Sequence, residues 1–472
     1  MPDIVTSKTF VDGEKGITAA KLNQIASGSV IQPAFYSAKP SSATLDPTDV
    51  LLELKGTGAY AQITGTQLAS SVAGQLPLAD ATQNGMLRQV SGNTTDVVDG
   101  TNHCVPIASM PGITQMRLRS FNSIGNPTFE VDQRTVGVGI SAPTTVTFAQ
   151  DRWGFFKAGG TTMAASANRS AVGQVILPGT NFAVSANYLR TTLTAAQATL
   201  GASDALWVNQ SIEGPVLREL IGDVHSVSLL VRSSVAGLTF GLALRDSTGT
   251  RSLTKLCTIP SANTWTLIQL PNLPVWAAGG SFPLSPGGIG YSLLITLAAG
   301  TTLTAPANDT WQNGNFTGAL GQANFAAQAV NSTFDIAFVQ HEPGAFCTTL
   351  IDKPFMQNLD ECLRYFCKSY AYAQALGSAT AQACLNFTVF AGGFATLPSG
   401  YASFPKELAK SPTMTIYASG GAINNVLDGV AATNRVVNST TSTTRYLSQI
   451  TLATASVAGN IIQFHYTADT GW

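Results

Sequence analysis

The chain offers few side chains suited to catalysis or metal binding. It has 472 residues, of which 4 are histidines, 6 are cysteines and 11% are charged. A zinc site needs three or four converging ligands, but His103 and Cys104 have no further ligand at zinc spacing, and Cys362 and Cys367 are too far apart for a C-x-x-C pair. Phosphate-binding loops, zinc-protease motifs and nucleophile elbows do not occur in their required contexts. We therefore expect no enzyme activity, no metal and no cofactor.

Aromatic residues are the other candidates for chemistry, because aromatic rings on a sheet can stack against the apolar faces of sugars. The chain has 6 tryptophans and 11 tyrosines. Trp265 and Trp311 lie in strand-like runs and are expected in a core. Tyr401, Tyr417 and Trp472 lie among glycine and serine near the C-terminus, so we expect them to be exposed.

Composition excludes several classes of protein. Lys and Arg number 25 and Asp and Glu number 26, giving a net charge of −1, so a nucleic-acid partner is not expected. Hydrophobic residues make up 44% of the chain, which argues against long disorder. The longest apolar run, 290–299, is too short to span a membrane, and the N-terminus shows no secretory signal. A weakly charged chain tends to associate, so we expect much of its surface to be buried between chains.

The first 108 residues read as two thin segments. In residues 1–30, Thr18 is suited to cap a short helix over 17–25, with Ile17 and Leu22 placed as a hydrophobic staple. A helix of this length is marginal alone, so it must dock on a partner. Residues 31–108 hold short strands such as 50–54 and no segment long enough for a core, which predicts an elongated connector.

Beyond the connector the pattern is all-β, interrupted by one helix. Alternating strands separated by turns indicate a sandwich, in which two sheets bury alternate residues. The expected strands include 135–140, 226–231, 238–244, 265–270 and 291–297. The expected inward residues are Val227, Leu229 and Val231 in one strand and Phe334, Ile336 and Phe338 in another. The expected helix follows Pro354 and carries an apolar stripe of Phe355, Leu359, Cys362, Leu363 and Phe366.

Two N-terminal stretches resemble bacteriophage tail-fibre and related proteins. Phe10-x-Asp12-Gly13-Glu14, followed by Ile17-Thr18-Ala19-Ala20-x-Leu22-Asn23, is similar to their virion-attachment segment. Gly85-Met86-Leu87-Arg88, together with Val98-Asp99-Gly100-Thr101-Asn102, is similar to their connector. The resemblance implies that Phe10, Ile17, Leu22 and Ile25 anchor the chain to the virion.

A longer ordered set resembles the carbohydrate-binding-like jelly roll and following helix of phage tail-fibre proteins. It runs through Asn126-Pro127-x-Phe129-Glu130, Asp151-Arg152-Trp153, Ile212-Glu213-Gly214, Ser226-Val227-Ser228-Leu229, Trp265, Trp311, Phe334-Asp335-Ile336, 339–344 and Cys362-Leu363-Arg364-Tyr365-Phe366. His341, Leu363 and Phe366 depart from the usual residues of that family. The stretches 412–417 and 466–469 match its distal β-domain.

The resemblance implies a mainly β virion protein of a tail, made in the host cytoplasm and assembled as a homotrimer. Its expected parts are an anchor helix segment (1–30), an elongated connector (31–108), a central jelly-roll β-sandwich (109–343), a short helix linker (344–370) and a distal β-sandwich (371–472). The N-terminus would bind a tail, baseplate or adaptor protein. The distal loops 419–425 and 438–444, with Tyr401, Tyr417 and Trp472, would contact a bacterial surface glycan or protein.

Other functions remain open at this point. The chain could be a head fibre or a tail adaptor in which the jelly roll is only a spacer, or the jelly roll could itself bind the cell. A polysaccharide-degrading tailspike is disfavoured because no β-helix repeat occurs. A cellular carbohydrate-binding module is disfavoured by the anchor motif and by the N-terminus without a secretory signal.

Overall fold

The chain divides into two compact units, 1–114 and 115–472. The computed structural model describes four strands of the first unit and residues 121–472 of the second, except 142–143, 160–161, 277–278, 390–393 and 398–401. In the first unit β1 (Val50–Leu54) pairs antiparallel with β2 (Tyr60–Thr64), and β3 (Asp96–Val98) with β4 (Cys104–Pro106). The strand expected at 50–54 is confirmed, and the helix expected at 17–25 lies outside the described residues.

The second unit begins with a sandwich of two antiparallel sheets. The strands of sheet A are β6 (Thr147–Gln150), β7 (Trp153–Ala158), β10 (Ala205–Glu213), β12 (Leu238–Asp246), β13 (Arg251–Ile259), β15 (Ile289–Ala299) and β16 (Trp311–Asn313). The strands of sheet B are β5 (Ile140–Ser141), β8 (Ala164–Ile176), β9 (Ala183–Ala195), β11 (His225–Ser233), β14 (Thr266–Leu273) and β17 (Thr333–Pro343). Sheet A has the order β16-β13-β12-β15-β10-β7-β6, and sheet B has the order β14-β11-β17-β9-β8-β5.

The alternation of apolar residues places the sandwich core between the sheets. Val227, Leu229 and Val231 of β11 face inward, as expected, and are fully buried. Phe338 of β17 does not. A register shift lies between Leu230 and Val231 of β11, and Phe338 pairs with Leu230 in a cluster on the outer face of sheet B. The expectation that Phe338 faces inward is therefore wrong, because one extra residue in a β-bulge changes the face of the sheet to which the next side chains point.

The segment 135–140 is not a strand. The Asp132 carboxylate accepts hydrogen bonds from the backbone N–H groups of Thr135, Val136 and Gly137, at 2.6–3.1 Å. Val136 has φ of 51° and Gly137 has φ of 83°, both in the left-handed region. The carboxylate thus closes a turn, and only Ile140 of the expected strand enters a ladder.

The remaining described elements are two helices, a 3₁₀ turn and the strands of the distal domain. The helices are α1 (Gly214–Leu217) and α2 (Phe355–Leu363), and a 3₁₀ turn covers Phe325–Ala327. The distal strands are β18 (Phe366–Lys368), β19 (Leu385–Thr388), β20 (Phe394–Leu397), β21 (Ala402–Ser403), β22 (Thr413–Ala418), β23 (Asn425–Asp428), β24 (Thr433–Ser442), β25 (Tyr446–Ser456) and β26 (Ile461–Asp469). The helix expected after Pro354 is confirmed, but the expected stripe from Phe355 to Phe366 is wrong at both ends: Phe355 is exposed, and Phe366 lies in β18 because the helix ends at Leu363. Among the described residues no helix is long and apolar enough to cross a membrane.

The distal strands wrap a separate core. β24 pairs with β23 through its first half and with β25 through its second half, so it connects two sheets. β18, which lies in the segment expected to be a linker, pairs with β26 near the end of the chain. The mainly β architecture with a central and a distal β-sandwich is confirmed.

A buried polar junction joins the central sandwich to the distal domain. Glu213, at the end of β10, accepts hydrogen bonds from Arg364 Nη2 at 2.7 Å, Arg364 Nε at 2.8 Å and Tyr365 Oη at 3.0 Å. These bonds lower the pKa of Glu213, although burial alone, the largest single influence, raises it. The Arg152 guanidinium lies 3.6 Å from the centroid of the Tyr365 ring. Hydrogen bonds and a cation–π contact between partly or fully buried side chains therefore hold the central sandwich and the distal domain together.

Candidate functional site

The residues singled out in the sequence do not converge. The anchor residues Phe10, Ile17, Leu22 and Ile25 lie outside the described residues, as does Tyr401. The expected virion contact and the role of Tyr401 therefore stay predictions.

Tyr417 and Trp472 are buried, so the expectation that they are exposed is wrong. Tyr417 is 9% exposed and meets the Tyr370 ring edge-on at a centroid distance of 5.8 Å. Trp472 is 4% exposed and stacks on Tyr365 at 6.0 Å, under the ammonium of Lys410. Long-range contacts bury both rings, although their neighbours in sequence are small and polar. The expected loop 438–444 is also mostly strand, because β24 continues to Ser442.

Two of the histidines meet inside the central sandwich in a chain of hydrogen bonds. Ser123 Oγ is 2.9 Å from Tyr291 Oη, which is 2.6 Å from His341 Nδ1. His341 Nε2 is 2.9 Å from His225 Nδ1, and His225 Nε2 is 3.1 Å from the carbonyl oxygen of Pro274. Both imidazoles are fully buried, and burial lowers the pKa of each, to about 4 for His225 and well below the ordinary value for His341.

The carbonyl of Pro274 fixes the direction of every bond in this chain. A carbonyl only accepts, so neutral His225 donates from Nε2 and accepts at Nδ1. His341 then donates from Nε2 and accepts at Nδ1 from the Tyr291 hydroxyl, which in turn accepts from Ser123. The chain is satisfied throughout and sealed from solvent, so we assign it to the stability of the core and not to a reaction.

The outer face of sheet A carries an aromatic pair that other residues cover. Phe156 and Trp207 lie side by side on paired strands, with ring centroids 4.3 Å apart. Trp207 is 8% exposed, and Leu303, from the segment that follows β15, packs against this cluster. A flat ligand would first have to displace Leu303.

The outer face of sheet B carries a more accessible group, here called the arginine row. Its members come from five neighbouring segments of the sheet and form one line across it: Trp265, Arg232, Asp335, Arg190 and Asn168. Arg232 lies opposite Asp335, Asp335 opposite Arg190, and Arg190 opposite Asn168. Trp265 directly precedes β14. Because alternate residues of a strand point to opposite faces, the inward positions of Val231 and Ile336 place Arg232 and Asp335 outward.

Two guanidinium groups hold one carboxylate in the arginine row. Arg190 donates from Nε and Nη2 to the two oxygens of Asp335, at 2.8 and 2.9 Å. Arg232 donates from Nε and Nη2 to Asp335 Oδ2, at 2.9 and 2.7 Å. The hydrogen bond to Asp335 raises the pKa of Arg190. Among the described residues the Nη1 group of neither arginine has a hydrogen-bond partner.

Aromatic rings support the two guanidinium groups from one side. Arg232 Cζ lies 4.5 Å from the centroid of the Trp265 ring, and Trp265 meets Tyr188 edge-on at 5.6 Å. Arg190 Cζ lies 5.2 Å from the Tyr188 centroid. Trp265 is half-buried and packs against the hydrophobic cluster on the outer face of sheet B, and Trp311 is half-buried against the core between the sheets.

The arginine row has the groups that polar-ligand sites use: fixed donors, an amide and aromatic surface. The side chain of Asp335 is 1% exposed, whereas those of Arg190 and Arg232 are 32% and 21% exposed. The carboxylate therefore acts from below as a brace, and the arginines face solvent. The sequence contained a signal for this group, since Asp335 and Arg232 interrupt strongly apolar strands.

Comparisons with known proteins give structural neighbours only. No protein-family model matches the sequence, and no curated protein matches it significantly. A carbohydrate-binding module in complex with beta-1,4-galactotriose is 10% identical, with a TM-score of 0.23, over 47% of this chain and 99% of that chain. A family 11 carbohydrate-binding module from Clostridium thermocellum, in complex with a beta-1,3-1,4-mixed-linked tetrasaccharide, is 12% identical, with a TM-score of 0.22, over 44% and 98%.

A further neighbour is a putative sugar binding protein from Bacteroides thetaiotaomicron. It is 10% identical, with a TM-score of 0.27, over 47% of this chain and 100% of that chain. Because all of these TM-scores lie below 0.5, the sandwich architecture rests on the strand order of this chain.

Proposed function

We propose that this chain is a non-catalytic virion protein of a bacteriophage, a homotrimeric tail fibre that attaches the particle to a bacterium. Its N-terminal segment binds a tail, baseplate or adaptor protein, and the outer face of sheet B binds a bacterial surface glycan. The ordered motifs that resemble phage tail-fibre proteins support the first part. The arginine row supports the second.

The observation that carries the glycan proposal is the pair of partly exposed guanidinium groups that Asp335 holds in place. Asp335 uses the Nε and Nη2 groups of both arginines, so each Nη1 points its hydrogens elsewhere with its orientation already fixed. Hydrogen bonds from a charged donor are worth roughly 1.5–3 kcal/mol each. Preorganised donors lose little side-chain entropy on binding. The hydroxyl groups of a sugar can accept hydrogen bonds from these donors. The edge of the Trp265 ring offers apolar surface to the sugar ring.

The burial of Tyr417 and Trp472 moves the proposed contact from the tip to the central sandwich. The two rings cannot stack on a glycan without unpacking from Tyr370 and Tyr365. The distal domain keeps small polar loops such as 419–425. Glycan contact at these loops is therefore the alternative that the experiments below must distinguish from contact at the arginine row.

Adsorption competition tests this proposal. Purified full-length protein, added in excess to host cells, should block adsorption of the phage. The Arg232→Gln variant should block at least tenfold less well, since the loss of one charge-assisted hydrogen bond corresponds to roughly tenfold in affinity. Trp265→Ala should also block less well, because it removes the ring that supports the Arg232 guanidinium. Arg445→Gln is the matched control, because Arg445 is a 71% exposed distal arginine and its loss changes the net charge equally. Equal blocking by all variants would contradict the proposed site.

The place of the protein on the particle is tested separately. Gold-labelled antibodies against the chain should decorate the tail. Decoration of a head vertex instead would identify a head fibre, and decoration limited to the tail–fibre junction would identify an adaptor.

A further inference from the structure

The charge of the arginine row is unbalanced. Two guanidinium groups, those of Arg190 and Arg232, share the single carboxylate of Asp335. Asn168, the next member of the row, is neutral. The row therefore carries one net positive charge on a face where both arginines reach solvent.

The described strands of sheet B supply no second carboxylate near the arginine row. Along the described strands of sheet B, the other acidic side chain on the outer face is Glu342, near the end of β17. Its oxygens accept hydrogen bonds from Gln340 and from the amide and hydroxyl of Thr348, at 2.5–2.8 Å, and it is 1% exposed. It lies seven residues from Asp335 along the strand, which is roughly 20 Å at 3.3 Å per residue. That distance is beyond the screening length of about 8 Å at physiological salt.

The unused donors are charged and suit an anion. The guanidinium plane presents its N–H groups as a rigid fork that matches the two oxygens of a carboxylate. Since Nε and Nη2 of each arginine already engage Asp335, the open Nη1 groups can engage an anion from the solvent side. Trp265 and Tyr188 back the guanidinium groups and keep water from one side, which strengthens such an ion pair.

We infer that the arginine row selects acidic saccharides, in which a sugar carboxylate binds the Nη1 groups of Arg190 and Arg232. This inference rests on the proposed glycan binding and narrows it to sugars that carry a carboxylate. Uronate and sialate residues belong to this class. Their neutral counterparts lose the ion pair and keep only hydroxyl and ring contacts.

The test is binding of full-length protein to an array of uronate- and sialate-containing oligosaccharides, each printed beside its methyl ester. The ester keeps the rings and linkages and removes the charge. We expect at least one acid to bind ten times or more tighter than its ester, the equivalent of one charge-assisted contact. Arg190→Gln should abolish that preference, whereas Arg445→Gln, a matched loss of one exposed arginine, should retain it.

The salt dependence of the wild-type protein provides a second measurement that needs no variant. Affinity for the acid should fall between about 0.05 and 0.5 M salt, while any affinity for the ester should stay constant, because salt screens the ion pair alone. Equal binding of acids and esters, or a preference that survives Arg190→Gln in a folded protein, would overturn the inference and leave glycan binding intact. Binding of no saccharide at all would overturn both.

Discussion

The buried histidine chain predicts that acid destabilises the central sandwich. Protonation of His225 would place an N–H on Nδ1, opposite the N–H that His341 already donates. Burial lowers the pKa of His225 from 6.5 to about 4, so the unfolded state binds the proton more readily between these values. The free energy of unfolding therefore falls as the pH falls from about 6.5 toward about 4.

The size of the effect follows from the pKa difference. One pKa unit corresponds to about 1.4 kcal/mol, so the full pKa difference of His225 corresponds to about 3 kcal/mol in the free energy of unfolding. About 2 kcal/mol of this is lost between about pH 7 and about pH 4.5. His341, whose pKa is also lowered, adds to the loss in the same direction. Glu130, Asp151 and Asp352 oppose it, because burial raises their pKa values and acid then relieves their charge.

Comparison of variants separates the histidines from these carboxyl groups. Urea unfolding, followed by tryptophan fluorescence over this pH range, should show a steeper loss of stability for the wild type than for the double variant His225→Gln, His341→Gln. His465→Gln is the comparison variant: His465 lies in the distal domain, bonds Ser369 and Thr380, and has a pKa that burial also lowers, so the double variant should flatten the slope more than this single variant does. The double variant is less stable at every pH, but its slope should be flatter. Equal slopes for the wild type and the double variant would refute the reasoning.

Three further predictions follow from the junction and from the N-terminal segment. Glu213→Ala should lower the free energy of unfolding by roughly 3 kcal/mol, because it leaves Arg364 and Tyr365 without their acceptor. Urea unfolding would measure this loss, and a loss below ~1 kcal/mol would contradict a stabilising role for the junction. Deletion of residues 1–28 should leave a folded protein that no longer enters particles, as measured by blotting purified virions, and normal incorporation would contradict the anchor. Sedimentation equilibrium of the full chain should give a trimer, and a stable folded monomer at micromolar concentration would contradict it.

The alternation of apolar residues was sufficient to predict the fold class. β11, β12, β14, β15 and α2 lie where period-2 or helical patterns indicate them, because burial on one face imposes those periods on any sequence. The pattern failed at Phe338, where pairing with Leu230 across a bulge, a property of two strands together, decides which face a residue takes.

The site was harder to predict than the fold. Tyr417 and Trp472 are expected to be exposed because their sequence neighbours are small and polar, whereas rings that are distant along the chain bury both of them. Arg232 and Asp335 are more than a hundred residues apart and meet only because β11 and β17 pair in a particular register. The sequence does mark each as a charge within an apolar strand, but it does not reveal that they share a row.

Hydrogen–deuterium exchange can show directly whether the outer face of sheet B binds glycan, as proposed. Exchange of the full-length protein should be measured with and without polysaccharide extracted from the host surface. We expect slowed exchange in the backbone around Arg190, Arg232 and Trp265, with the loop 419–425 unchanged. Slowed exchange confined to the distal loops would contradict this expectation and would place the contact in the distal domain.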